Sequence, residues 1–241
     1  MTQSTIDALC AHTSVRLYTA EPVSEADRTA IMNAARAAST SCNLQITSVI
    51  RVTDPELRKK LAHESGDQKH VETAAEFWVF CADYHRAKVL CPDADLGWTE
   101  QFLVGVLDTG IMAQNAMTAL ESLGLGGVFI GGLRNGMATV GELLGLPDNV
   151  IPVVGIAFGH PAERQGVKPR LPASVTFMEN GYREPDPAAL KAYGEEMRRY
   201  YLSRPTNPKD TDWIDTLKPV LLRERRPFVL DVIRAKGFAI H

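Results

Sequence analysis

The chain has 241 residues, of which 45% are hydrophobic and 23% charged, and its formal net charge is −3. This composition is typical of an ordinary globular protein and excludes a disordered chain, and the acidic balance argues against general binding of nucleic acid. No stretch reaches the roughly 18 consecutive apolar residues of a membrane helix. The N-terminus, MTQSTIDALC, has no basic region followed by an apolar core, so we expect no secretory signal and a cytoplasmic location.

The first half of the chain is predicted to alternate helices and strands. Ser24 is a typical N-cap for a helix that runs to about Ala38. Residues 46–52 and 76–82 are predicted strands, and between them Asp54-Pro55 opens a second helix. Cys81 is expected to be a buried, small apolar side chain of the second strand.

A long helix is predicted at residues 105–123, apolar on nearly every side. Such a helix lies in the middle of a domain or in a subunit interface. Further strands are predicted at residues 128–130, 153–158 and 175–177. Because strands and helices interleave through irregular connections, we expect an α+β sheet covered by helices on both faces, rather than a doubly wound parallel sheet.

The last part of the chain differs in character. We predict a helix at residues 185–204, a polar loop SRPTNPKDTDW, and two more helices near residues 213–222 and 228–236. This tail either wraps a partner subunit or forms an outlying lobe. We therefore expect one domain, residues 1–241, in which residues 185–241 form a helical tail.

Six glycines surround a short apolar run in GLGGVFIGGLRNG, residues 124–136. Glycine lets a backbone turn sharply and lets a flat ligand lie against the main chain. The alternative is a tight connection from a helix to a strand, with glycine at the helix C-terminus.

Three polar clusters are candidates for binding an anionic, flat ligand. In HTSVR, His12, Ser14 and Arg16 occupy alternate positions and would face the same side of an extended segment, as a phosphate site requires. In STSCN, the hydroxyls of Thr40 and Ser41 suit ligand hydroxyls or ring heteroatoms. The alternatives are a solvated basic edge for the first cluster and a polar helix terminus for the second.

The third cluster is KPRLP, where prolines fix the backbone around Lys168 and Arg170. It is interpreted as an anion clamp or, alternatively, as a surface loop. The amide of Gln68, in GDQKH, can both donate to and accept from the edge of a heterocycle. The histidines and cysteines show no HExxH, HxxxH or CxxC spacing, so no metal site is expected.

These motifs, together with GIMAQNAMTALESLGLGGVFIGGLRN, AAEFWVFCADY and FGHP, resemble the oxygen-insensitive NADPH nitroreductase and flavin reductase family, in order along the whole chain. The resemblance implies an α+β fold with a mixed central sheet, an intertwined homodimer with a C-terminal excursion lobe, and FMN at the dimer interface.

The resemblance also implies roles for individual residues. FMN would be bound by the residues that match the family's cofactor positions: His12, Ser14, Arg16, Thr40, Ser41, Gln68, Gly131, Gly132, Lys168 and Arg170. Arg204, with Lys209 beyond it, lies in the loop that the family uses for the 2′-phosphate of NADPH, although Arg204 could instead solvate the end of the preceding helix. Three departures from the family pattern are Thr13, Asn43 and Phe129.

The implied activity is an NADPH-dependent two-electron reduction of nitroaromatics, quinones or related acceptors, in which FMN carries the chemistry and no side chain acts as a nucleophile. Two rivals remain open. One is a flavin reductase that supplies reduced FMN to a separate monooxygenase, and the other is a flavin-binding redox sensor.

Overall fold

The computed structural model describes residues 4–205 and 207–241, which divide into two compact units. The first, here called the sheet unit, takes the chain up to Arg164 together with Arg226–His241. The second, the helical unit, is Gln165–Arg225. The helical unit thus begins before the expected tail, and the last helix of the chain belongs to the sheet unit.

The sheet unit contains one four-stranded sheet and the helices that pack on it. Its strands are β1 (Thr47–Arg51), β2 (Glu76–Asp83), β3 (Gly126–Ile130) and β4 (Val150–Gly159). Its helices are α1 (Thr5–Cys10), α2 (Glu25–Arg36), α3 (Pro55–Glu64), α4 (Lys69–Thr73), α5 (His85–Leu90), α6 (Thr99–Ser122), α7 (Met137–Leu143) and α11 (Val229–Ala235).

The strand order is β1-β2-β4-β3, and all three pairings are antiparallel. The α+β fold is as expected, but within the described residues the sheet is purely antiparallel, where the expectation was a mixed one. β1 and β3 form the two edges, so they are separated by the width of the two inner strands.

Both faces of the sheet are covered, as predicted. β2 is buried along its whole length, and its side chains alternate between two cores. Phe77 and Val79 pack with residues of α3, α4 and α7, whereas Trp78 and Phe80 pack with residues of α2 and α6. Cys81 is also buried, as expected, and burial raises the pKa of its thiol to about 12.

Two helix starts follow the predicted caps. The Ser24 side chain accepts a hydrogen bond from the backbone of Asp27, and the Asp54 side chain accepts from the first turn of α3, whose first residue is Pro55. At the C-terminal end of the long helix α6, directly after the helix, Gly124 has a φ of +81°. This glycine therefore ends a helix, which is the alternative interpretation of the glycine-rich block.

The helical unit contains α8 (Ala173–Thr176), α9 (Pro187–Leu202) and α10 (Trp213–Leu221). The helices predicted near 185–204 and 213–222 are confirmed. The strand predicted at residues 175–177 is wrong, because Val175 and Thr176 belong to the short helix α8, Phe177 follows it, and no described strand pairs with them.

Candidate active site

An extended segment near the N-terminus presents His12, Ser14 and Arg16 on one side. Thr13 and Val15, the residues between them, are buried, while His12 and Ser14 are half-buried and Arg16 is exposed. The backbone of Val15 donates a hydrogen bond to Gly127 of β3 at 3.0 Å. The segment therefore lies along the start of β3 with its polar side chains outward, as their alternate spacing predicts.

His12 contacts Glu121, which was not among the predicted site residues. Its Nδ1 lies 2.7 Å from Oε1 of Glu121, which belongs to the last turn of α6. Both side chains are largely buried, with 28% of His12 and 9% of Glu121 exposed. The contact ties the N-terminal segment to the long helix.

Gln68 lies directly against the glycines that follow β3. Its side-chain nitrogen donates to the carbonyl oxygen of Ser65 at 2.7 Å. A β-carbon placed on Gly132 would overlap both this nitrogen and the same carbonyl oxygen. Gly131 and Gly132 begin a 3-10 turn, Gly131–Gly136, so the backbone there turns against the Gln68 amide.

His70 supplies a further polar atom near this point. Its Nε2 is buried and has no hydrogen-bond partner among the described residues. Burial lowers the pKa of His70, and the nearby charge of Arg16 lowers it further. His70 belongs to α4, which Gln68 directly precedes. His70 could not be predicted from the sequence, because a single histidine forms no recognisable motif.

The sheet unit thus collects six of the predicted residues along β3 and the turn after it. They are His12, Ser14, Arg16, Gln68, Gly131 and Gly132. Together they offer cationic and hydroxyl donors, a side-chain amide and a stretch of backbone without side chains. This set suits a ligand that has an anionic end and a planar, polar-edged end.

The serine-rich turn is anchored elsewhere, on α6. Oγ1 of Thr40 donates to Oδ2 of Asp108 at 2.6 Å and accepts from the backbone of Gln45 at 3.0 Å. The backbone of Ser41 donates to the same carboxylate at 3.1 Å. Asp108 is buried, and Thr40 lines a cavity of about 670 Å³ beside it. The Thr40 hydroxyl therefore serves the turn itself.

Within one chain, this turn does not meet the cluster along β3. Asp108 and Glu121 hold the two groups thirteen residues apart on the same helix, which is about 20 Å at the rise of an α-helix. The turn leads into β1, at the edge of the sheet opposite to β3. Thr40 and Ser41 could join the other residues only from a second copy of the chain.

The helical unit contains the remaining predicted residues. Lys168 and Arg170 are exposed. Nζ of Lys168 lies 5.7 Å from the ring centre of Tyr201, a distance at which the ring face attracts a cation. The hydroxyl of Tyr193 donates to the carbonyl oxygen of Pro169 at 3.1 Å, which fixes the proline-bracketed segment on α9.

Tyr201 also contacts the loop after α9. The backbone of Lys209 donates to the carbonyl oxygen of Tyr201 at 3.2 Å. Arg204 follows Tyr201 by three residues in the chain. Nε of Arg204 is buried without a hydrogen-bond partner among the described residues. Tyr201 is thus contacted by the side chain of Lys168 and by the backbone of Lys209 within this unit. The loop's Thr206 lies outside the described residues.

Sequence comparison identifies the family. A model described as "Nitroreductase family" matches residues 10–160, and a second, "Nitroreductase family, C-terminal domain", matches residues 168–241. The chain belongs to the nitroreductase family. It is 50% identical over 235 residues to a Salmonella typhimurium protein named oxygen-insensitive NADPH nitroreductase, covering 98% of each chain. It is 47% identical to the NADPH-flavin oxidoreductase of Vibrio harveyi, again over 98% of each chain.

Solved structures agree with this assignment. Nitroreductase A from Vibrio parahaemolyticus superposes with a TM-score of 0.94 at 43% identity and with complete coverage of both chains. The NADPH:FMN oxidoreductase of Vibrio harveyi, solved in complex with NAD+, gives a TM-score of 0.93 at 45% identity, covering 98% of this chain and 99% of the other. The predicted nitroreductase-like fold is confirmed.

Three side chains of this nitroreductase-family site were missed by the sequence interpretation, namely Asp108, Glu121 and His70. Two of them act through long-range contacts: Asp108 lies 68 positions from Thr40, and Glu121 lies 109 positions from His12. No pattern of neighbouring residues in the sequence indicates such distant contacts. The described residues contain no group of three His, Cys, Asp or Glu side chains placed to hold a metal ion, and no helix that is long and apolar enough to cross a membrane.

Proposed function

We propose that this chain is an FMN-dependent NADPH oxidoreductase that reduces nitroaromatics, quinones or related acceptors by two electrons. The observation that carries the proposal is the cluster along β3, where Arg16, Gln68 and Gly132 offer a cation, an amide and bare backbone to one ligand. The buried, unpartnered Nε2 of His70 fits a site that receives a polar group. The names of the relatives point to the same cofactor and coenzyme.

The proposed binding residues fall into two groups, one for the phosphate and ribityl end of FMN and one for its ring. His12, Ser14 and Arg16 would bind the phosphate and the ribityl chain, because a guanidinium can donate to two phosphate oxygens at once. Gln68 would bind the edge of the ring, with Gly131 and Gly132 letting the backbone approach it. Lys168 and Arg170 would add positive charge that stabilises the reduced, anionic ring.

A homodimer would complete the site. The turn that carries Thr40 and Ser41 would come from the second copy, since one chain holds it about 20 Å from the other residues along α6. One side of α6 exposes three apolar residues at four-residue intervals, Leu103, Leu107 and Ile111. They form an apolar stripe that faces solvent in the single chain. That stripe supports the predicted subunit interface.

FMN, when bound, would supply the two-electron redox chemistry between NADPH and the acceptor, and the protein's own residues would bind and orient the reactants. Arg204 and Lys209 would select NADPH through its 2′-phosphate. The two side chains would reach the phosphate from the loop after α9, in which the backbone of Lys209 donates to Tyr201. We also propose a cytoplasmic location, which cell fractionation would test.

Steady-state kinetics test this function. NADPH and a nitroaromatic that visit one site in turn should give parallel lines in double-reciprocal plots, and intersecting lines would contradict the single-site cycle. Arg16→Ala and Arg170→Ala should each weaken FMN binding about 10-fold or more, as expected for a lost charge-assisted hydrogen bond. Unchanged FMN retention in both variants would remove these residues from the site.

The flavin reductase alternative is favoured by the names of relatives such as the NADPH-flavin oxidoreductase of Vibrio harveyi and the FMN reductase (NADPH) of Bacillus subtilis. Turnover of free FMN and of a nitroaromatic by the same preparation separates the two functions. A kcat/KM for free FMN that exceeds that for every nitroaromatic and quinone tested would favour the reductase.

A further inference from the structure

Glu121 occupies an unfavourable position for a carboxylate. It lies in the last turn of α6, where the helix dipole is negative, and only 9% of its side chain is exposed. Both the dipole and the loss of water disfavour a negative charge there. A hydrogen-bond donor on the carboxylate offsets part of this cost.

His12 provides that donor. Its Nδ1 lies 2.7 Å from Oε1 of Glu121, a distance typical of a charge-assisted hydrogen bond. With Glu121 ionised, its carboxylate can only accept, and the proton of this bond then lies on Nδ1 of His12. The contact therefore fixes both the tautomer and the orientation of the imidazole ring.

Fixing Nδ1 leaves the other ring nitrogen for a ligand. Nε2 lies on the opposite edge of the imidazole, and His12 shares the outward side of its segment with Ser14 and Arg16. A ring that could rotate or exchange tautomers would lose part of its contribution to binding, because it would have to be ordered when the ligand arrives.

We propose that Glu121 is a positioning residue of the FMN site, which holds the His12 ring with Nδ1 protonated and Nε2 directed to the cofactor. The inference rests on the proposed function. It assigns the last turn of α6 a role in cofactor binding that acts entirely through His12.

A double-mutant cycle tests whether Glu121 acts through His12. FMN is titrated into flavin-free full-length protein for wild type, Glu121→Ala, His12→Ala and the double variant. Glu121→Ala should raise the FMN dissociation constant about 10-fold, and the double variant should bind no more weakly than His12→Ala alone. Glu142→Gln, which removes an exposed carboxylate from α7, should bind like wild type.

The outcomes separate the two proposals. If wild-type protein binds no FMN, the proposed function fails. If wild type binds FMN but the effects of Glu121→Ala and His12→Ala multiply in the double variant, or Glu121→Ala binds like wild type, the inference about Glu121 is wrong.

A spectroscopic measurement covers the case in which the alanine variants fail to fold. Nitrogen-15 NMR of labelled histidine should show His12 protonated at Nδ1 in wild type. Glu121→Gln keeps the size of the side chain but can also donate, so the same signal should report a mixture of tautomers. An unchanged tautomer in Glu121→Gln would overturn the proposal.

Discussion

Gly132 lies so close to the side chain of Gln68 that a β-carbon at position 132 would overlap the amide nitrogen. The same β-carbon would overlap the carbonyl oxygen of Ser65, to which this amide donates. Because one of the two obstacles is backbone, a rotamer change of Gln68 cannot remove the conflict. The turn after β3 and the turn before α4 are thus fitted to each other.

Gly132→Ala should therefore disturb the site more than a single methyl group usually does. We expect a loss of about 1–3 kcal/mol in the free energy of unfolding from overpacking, together with weaker FMN binding. Urea unfolding and FMN titration measure the two effects.

Gly141→Ala is the matched control. A β-carbon there would meet nothing within 4 Å, and position 141 lies inside α7. Alanine in a helix interior is better than glycine by about 0.5–1 kcal/mol, so this variant should be as stable as wild type or more so. Equal behaviour of the two variants would contradict the close packing at Gly132.

The hydroxyl of Thr40 should contribute to stability through Asp108. Thr40→Val removes a donor from a buried carboxylate and an acceptor from the backbone of Gln45, which should cost about 1–3 kcal/mol. Thr40→Ser keeps the hydroxyl and should cost clearly less. Urea unfolding of the two variants compares them, and equal losses would show that the hydroxyl does not anchor the turn.

His70 should make the protein less stable in mild acid. Its pKa is lowered in the folded state, first by burial and then by Arg16, while the unfolded chain titrates near 6.5. The unfolded state therefore binds more protons as the pH falls below about 6.5, and stability is lost down through the lowered pKa. His70→Gln cannot titrate, so its free energy of unfolding should fall less than that of wild type. Parallel curves for the two proteins, from urea unfolding at a series of pH values, would contradict this.

The sequence predicted the main strands and helices because caps and apolar runs are local signals. It was wrong about the start of the long helix and about residues 175–177. The long helix was expected from residue 105, but α6 begins at Thr99 because the Gln101 side chain accepts from the backbones of Gly97 and Trp98. Val175 and Thr176 are β-branched and Phe177 is aromatic, but among the described residues no strand pairs with them.

For the site, the sequence could not predict contacts between residues that lie far apart in the chain. The alternate spacing of His12, Ser14 and Arg16 was enough to predict their common side. The sequence could not show that Thr40 gives its hydroxyl to Asp108, or that one chain keeps the serine-rich turn away from β3. The second of these depends on the distance along α6 between the carboxylates of Asp108 and Glu121.

Arg204 should determine the choice of coenzyme. Its Nε has no partner among the described residues, and only NADPH carries the 2′-phosphate that the guanidinium would bind. Arg204→Ala should lower kcat/KM for NADPH about 10-fold or more and leave NADH almost unchanged. Arg199→Ala, which removes an exposed charge from α9, should affect neither. Equal losses with both coenzymes would mean that Arg204 only solvates the end of α9.

Anaerobic reduction of the purified protein with NADPH, followed by addition of a nitroaromatic acceptor, tests the proposed function most directly. We expect a yellow dimer with FMN bound to each chain, rapid bleaching of the flavin by NADPH, and return of the yellow colour as the acceptor is reduced. A protein that takes up no FMN, or a bound flavin that NADPH does not bleach, would contradict it.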